Sequence, residues 1–110
     1  MGLRIVDEMV GSVGRVHAIA TSVARHDPDL ARQMKRSSAS VGLNACEGLH
    51  GRGGNRTARL ESAMCSGRET IMAIRIAGAA GYLDAETVAK EADDLDRIVA
   101  TLHKLTYPRR

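Results

Sequence analysis

Gln33-Met34-Lys35-Arg36-Ser37-Ser38-Ala39-Ser40-Val41-Gly42-Leu43-Asn44-Ala45-Cys46-Glu47-Gly48 is the stretch that decides how this chain folds. Two cations stand beside a run of small residues, and Ser40, Asn44 and Glu47 follow at helical spacing. Side chains three and four residues apart share one face of a helix. Small residues allow another helix to come close, and a row of buried polar groups requires partners. The stretch reads as a helix in a bundle, with a polar seam along its contact.

The flanking sequence supplies three more helices. Val6, Met9, Val13, Val16, Ala20 and Ala24 recur at three- and four-residue steps, predicting a helix over about 3–25. Asp27-Pro28 offers an N-cap and a first-turn proline for the second helix, which runs to about Gly48. Gly51-Arg52-Gly53-Gly54-Asn55 reads as a loop, with Asn55 as cap of a third helix ending near Ala80, and Gly81 as the residue after its end. Asp84 caps a fourth helix to about Thr106, and Pro108 stops it. Short connections make successive helices antiparallel. The expected fold is all-α, an up-down-up-down four-helix bundle occupying 1–110 as one domain. With no Trp or Phe, its core is built from Leu, Ile, Val, Met and Ala.

At about 100° per residue, the third helix carries two stripes. Leu60, Met64, Gly67, Ile71, Ile74 and Gly78 form one; Ala58, Ser62, Cys65, Glu69, Met72, Ile76 and Ala80 form the other, nearly opposite. A helix in a lone small bundle needs one apolar stripe. The second helix repeats the pattern weakly, with Ala39 and Leu43 in line with Arg32 and Arg36, away from Leu30, Met34, Val41 and Ala45. The fourth has one stripe, Val88, Ala92, Leu95, Val99 and Leu102. These patterns predict a homo-oligomer with Cys65, Met72, Ile76, Ala39 and Leu43 at the interface.

The formal net charge is +3, too small to establish a nucleic-acid partner. Its layout is dipolar: residues 28–78 hold eight basic and four acidic groups, residues 82–103 two basic and six acidic. That suits self-association or an anionic partner, or simply two solvated helix faces. Arg52, Arg56 and Arg59 around the glycine loop, with Arg32, Lys35 and Arg36 on the second helix, are the candidate contacts for DNA or RNA phosphates. The loop group is expected to reach outward. The alternative for all six is solvation or inter-subunit ion pairing.

No apolar run approaches the roughly 20 residues a membrane span needs, and Asp7 and Glu8 do not suit a signal peptide. Cys46 and Cys65 without an export signal predict a reducing cytoplasm and two small buried thiols. Glu47-Gly48-Leu49-His50 is a single Glu-x-x-His pair at a helix end, where di-iron bundles use two. It reads as a terminal polar cluster. His17 is expected as a hydrogen-bonded core histidine. Ser40, Asn44, Glu47, Ser66 and Glu69 read as a structural seam between helices two and three, because nothing supplies a base to activate a serine. No catalytic group, metal site or cofactor is expected.

The motif Gln33-x-Lys35-Arg36-x-x-x-Ser40-Val41-x-x-Asn44-x-x-Glu47-Gly48 resembles the signature of small bacterial four-helix-bundle proteins named after 23S rRNA intervening sequences. Ala63-x-x-Ser66-x-x-Glu69 and Gly81-Tyr82-Leu83 resemble that family's third helix and its turn into the fourth. Helix one departs from the pattern in lacking aromatic residues, and Leu49 stands where an aromatic is common. The resemblance implies a ring-like homo-oligomer, with a pentamer preferred. A related branch, the accessory variability protein of diversity-generating retroelements, binds nucleic acid and a reverse transcriptase through a basic surface. By that resemblance, this chain is expected to be a non-catalytic binding or adaptor protein for nucleic acid or a nucleic-acid enzyme. The alternative is a purely structural assembly protein.

Overall fold

The computed structural model describes residues 2–109, with side-chain surroundings from Arg4 onward. Among these residues there are four helices and no strand: α1 (Gly2–Val23), α2 (Pro28–Leu49), α3 (Gly53–Ala79) and α4 (Ala85–Thr106). They form an elongated bundle of 45 × 22 × 20 Å. α1 packs on α2, α2 on α3 and α3 on α4; α1 meets α4 over a much narrower contact. Successive helices are antiparallel: Ser37 meets Thr70 while Ser40 meets Ser66, so rising numbers on α2 run against falling numbers on α3.

The turns follow local chemistry. Asp27 accepts from the Leu30 amide at 3.0 Å, and Pro28, which lacks an N–H, occupies the first helical turn. Asp84 caps α4 by accepting from the Thr87 amide at 2.7 Å. α3 ends in a Schellman arrangement: the Tyr82 amide bonds Ala77 O at 2.8 Å and the Gly81 amide bonds Gly78 O at 3.0 Å. That geometry places Gly81 at φ +83°, where a side chain is strained. The start of α3 differs from expectation. Asn55 is not its cap; the helix begins at Gly53, with Arg52 at the N-cap and no side-chain capping bond. Gly53, at φ +58°, makes the entry turn that a capping side chain would otherwise organise.

Two apolar clusters fill the bundle. Ile5, Met9, Val41, Leu60, Met64 and Leu102 belong to the one at the α2–α3 turn end. Val16, Val23, Met34, Ile74 and Leu95 belong to the other. Ser12, Ser37, Ser38 and Thr70 are buried at the boundary, each lying in its helix between members of the two clusters. Glycine sets the closest approaches. A Cβ at Gly48 would stand 2.7 Å from Leu60 Cγ, one at Gly67 2.7 Å from Val99 Cγ2, and one at Gly78 2.6 Å from Val88 Cγ2.

Candidate functional site

The contact between α2 and α3 carries a continuous polar ladder. The Ser40 and Ser66 hydroxyls are 2.8 Å apart. Asn44 Nδ2 donates to Ser40 Oγ at 2.9 Å and lies 3.1 Å from Ser40 O. Arg59 donates to Asn44 Oδ1 at 3.3 Å and pairs with Glu47 at 3.1 Å. The ladder thus joins Ser66, Ser40, Asn44, Arg59 and Glu47. Its members next to the serines are hydroxyl and amide groups, which do not take a serine proton. Deeper in the same contact, Thr70 donates to Ser37 Oγ at 2.8 Å and stands 2.8 Å from Ser66 O. Glu69 stands off the ladder, exposed on the outward stripe of α3 with Cys65 and Met72.

The arginines around the glycine turn do not all reach outward. Arg56 is half-buried and donates to Gly48 O and Leu49 O, both at 3.3 Å, so it places a positive charge on the carbonyls at the end of α2, Gly48 O also accepting from the Gly51 amide at 3.0 Å. Arg59 is held in the ladder. Both lie in the first turns of α3, which runs back along α2, so they face that helix rather than reaching outward as expected. Arg52 remains exposed at the turn, and Arg32 pairs with Asp29. Lys35 and Arg36 are exposed, with no carboxylate at ion-pair distance among the described residues.

The outward faces of α2 and α3 are apolar in part. Leu43 is 68%, Met72 52% and Ile76 49% exposed. Cys65 is exposed beside them in helical phase, and Ala39 is half-buried. Both cysteines are free and exposed, not buried as the sequence suggested. Cys46 Sγ lies 3.9 Å from His50 Nδ1, whose ring also stands 2.9 Å from Cys46 O. His17 is half-buried with Nδ1 2.9 Å from Val13 O. Two histidines gain ring partners that spacing did not indicate: His26 stacks on Tyr82 at 4.9 Å, and His103 meets Tyr107 at 5.1 Å. Among the described residues no group of three or more His, Cys, Asp or Glu is placed to hold a metal ion, and no helix is long and apolar enough to cross a membrane.

Sequence reading missed the one buried carboxylate among the described residues. Glu91, 3% exposed, accepts from Arg15 Nε at 2.8 Å and from Ser12 Oγ at 3.4 Å. Arg15 also reaches Asp94 at 3.6 Å. The hydrogen bond to Glu91 raises the Arg15 pKa above its ordinary value, with the charges of Glu91 and Asp94 acting the same way against burial. The signal was available: Glu91 falls three residues after Val88 and four before Leu95, on the apolar stripe of α4.

A family model described as 23S rRNA-intervening sequence protein matches residues 2–104. A solved structure from Bacteroides thetaiotaomicron, described as a protein with unknown function from the S23 ribosomal protein family, is similar with a TM-score of 0.86. It is 17% identical, and the match covers 94% of this chain and 98% of that one. At that identity the likeness speaks for the fold. No curated protein matches.

Proposed function

The chain belongs to the 23S rRNA-intervening sequence protein family, and from that premise we propose that it is a non-catalytic binding protein working as a homo-oligomer in the cytoplasm. The observation that carries this is the exposure of Leu43, Met72 and Ile76 on two adjacent helices whose inner faces already fill the core. The occupant is a second copy of the chain. Residues 28–78 are net positive and residues 82–103 net negative, so one copy offers the next an opposite charge. A contact between unlike surfaces closes into a ring when its rotation allows, and the family resemblance makes five the preferred number. Light scattering at micromolar concentration tests the assembly. The wild type is expected to run as an oligomer and Met72→Arg and Ile76→Arg as folded monomers; a monomeric wild type overturns the reading.

Phosphate binding is a second reading, supported by Lys35, Arg36 and Arg52, exposed and without carboxylate partners among the described residues. A ring repeats each cation around its axis, which strengthens attraction to DNA or RNA without base specificity. Replacing those three with Gln is expected to weaken binding and flatten its salt dependence while the oligomer persists. Absence of wild-type binding at low salt leaves the purely structural assembly.

A further inference from the structure

We infer that the homo-oligomer is built by contact between unlike surfaces: a furrow between α1 and α2 of one copy receives Met72 and Ile76 on α3 of the next. This rests on the assembly reading above and names its two surfaces. The exposed apolar side chains do not form one patch. Ser40 and Ser66 touch across the α2–α3 contact. Leu43 lies three residues past Ser40 toward the α2–α3 turn, and Met72 six residues past Ser66 in the opposite direction. At the rise of a helix that sets them about 14 Å apart along the bundle, with Ile76 farther still. Leu43 instead shares its level with Val10, which is 67% exposed on α1, because their neighbours Val41 and Met9 belong to the same core cluster.

The furrow is built from two rows. On α1, Arg4, Glu8 and Arg15 take the flank toward α4, so Val6, Val10 and Val13 lie on the opposite flank, toward α2. On α2, Ser40 and Asn44 take the flank toward α3, so Ala39 and Gly42 lie toward α1, with Leu43 beside them. Gly42 is half-buried, yet a Cβ there would meet nothing within 4 Å. The space above it is open, and Val10 and Leu43 stand as ridges on either side. Met72 and Ile76, one turn apart on α3, form a matching ridge, and helices pack by setting ridges into such grooves.

The charges around the two surfaces are complementary. Arg68 and Arg75 flank Met72 and Ile76, exposed and with no carboxylate at ion-pair distance among the described residues. Asp7 borders the furrow, exposed and likewise without a cation among them. Each surface also carries one exposed charge of the other sign, Lys35 by the furrow and Glu69 by the ridge, so the signs answer in both directions. A second copy of the chain supplies the apolar ridge and the charges together. Such a contact is heterologous, and every copy inside the assembly uses both of its surfaces.

Light scattering and sedimentation of the full chain test this with variants that each spoil one surface. Val10→Arg places a charge on the furrow. Gly42→Leu fills it with a good helix former and is expected to keep the melting temperature of the wild type. Ile76→Arg spoils the ridge. Each variant alone is expected to run as a helical monomer of 11.8 kDa. An equimolar mixture of Val10→Arg and Ile76→Arg is expected to give a one-to-one dimer of twice that mass and nothing larger, since the pair retains one good furrow and one good ridge. A monomeric wild type brings down the assembly reading and this inference with it. An oligomeric wild type whose size survives Val10→Arg and Gly42→Leu overturns this inference alone. So does a dimer formed by either partner by itself, which means that like surfaces pair, or a mixture that stays monomeric at concentrations well above those at which the wild type assembles.

Discussion

α2 and α3 approach so closely that a Cβ at Gly48 would press into Leu60, whereas α1 and α4 stand apart around a groove of about 720 Å³. The first contact is made of small residues and short neutral hydroxyls: Ser37 with Thr70, Ser40 with Ser66. Hydroxyls satisfy each other within a narrow space, so no charge has to leave water. The second contact is made of long charged side chains. Arg15 spans from α1 to Glu91 and Asp94, and a guanidinium between helices holds them apart. One bundle therefore has a tight seam and a loose one, and the residue types at the contacts decide which is which.

The largest effect is expected at the loose contact. Arg15→Ala leaves Glu91 buried without its charged partner, at a cost of about 3 kcal/mol. Glu91→Leu removes the buried charge itself and leaves Arg15, whose side chain is 45% exposed, free to reach water and Asp94. Its cost is expected within about 1 kcal/mol. Urea unfolding of both variants checks the ranking; equal losses would show that the pair matters for its own attraction rather than for neutralising a buried carboxylate.

The tight contact breaks differently. Gly48→Ala places a methyl group against Leu60 Cγ at 2.7 Å and its backbone N at 3.1 Å. Overpacking here is expected to cost about 2 kcal/mol, while Gly14→Ala on the exposed side of α1, where a Cβ meets nothing, is neutral or stabilising. Thermal melts of the two alanine variants separate the packing cost from the general effect of alanine in a helix, and matching shifts would deny the tight contact. Thr70→Val is a smaller change. It removes one buried hydroxyl from the same contact, deeper than the ladder, and is expected to cost about 1 kcal/mol, with Ser37 left short of a donor.

The smallest effect belongs to a cap outside both contacts. Hydrogen bonds from the Thr87 hydroxyl and then its backbone amide hold the Asp84 carboxyl below its ordinary pKa. A lowered folded-state pKa contributes stability that is full above the unfolded value, about 3.9, and is lost as pH falls through the folded value. Asp84→Ala is therefore expected to lower the melting temperature at pH 7, with the gap to wild type closing below about pH 4. A gap that stays constant with pH would assign the cap to geometry alone.

The termini and turns that were legible are those set by local bonds. Asp27, Asp84 and Gly81 act within five residues of themselves, and such chemistry needs no tertiary context. Asn55 was misread because glycines oppose a helix in isolation; here Gly53, at φ +58°, makes the entry turn itself and the helix extends back over Gly54. The ladder residues Ser40, Asn44, Glu47 and Ser66 were readable from their shared phase. Glu69 was grouped with them on the same helix, yet its phase follows Cys65 and Met72 to the outside. Arg56 and Arg59, at the start of the third helix beside the glycine loop, were expected to reach outward, since nothing local shows that they would turn back against α2.

By itself, the sequence determined four amphipathic helices, the Asp27 and Asp84 caps, their antiparallel order and the second apolar stripe of α3, because hydrophobic period and capping are properties of residues close in the chain. Only the tertiary structure decided which helices would pack tightly, which arginines would be consumed as caps and ion pairs, and that Ser12 and Arg15 would find Glu91. Those outcomes depend on contacts between separate helices, from 7 positions apart at Arg56 and Leu49 to 79 at Ser12 and Glu91, where chain periodicity carries no information and the volume and charge of the facing side chains set the spacing.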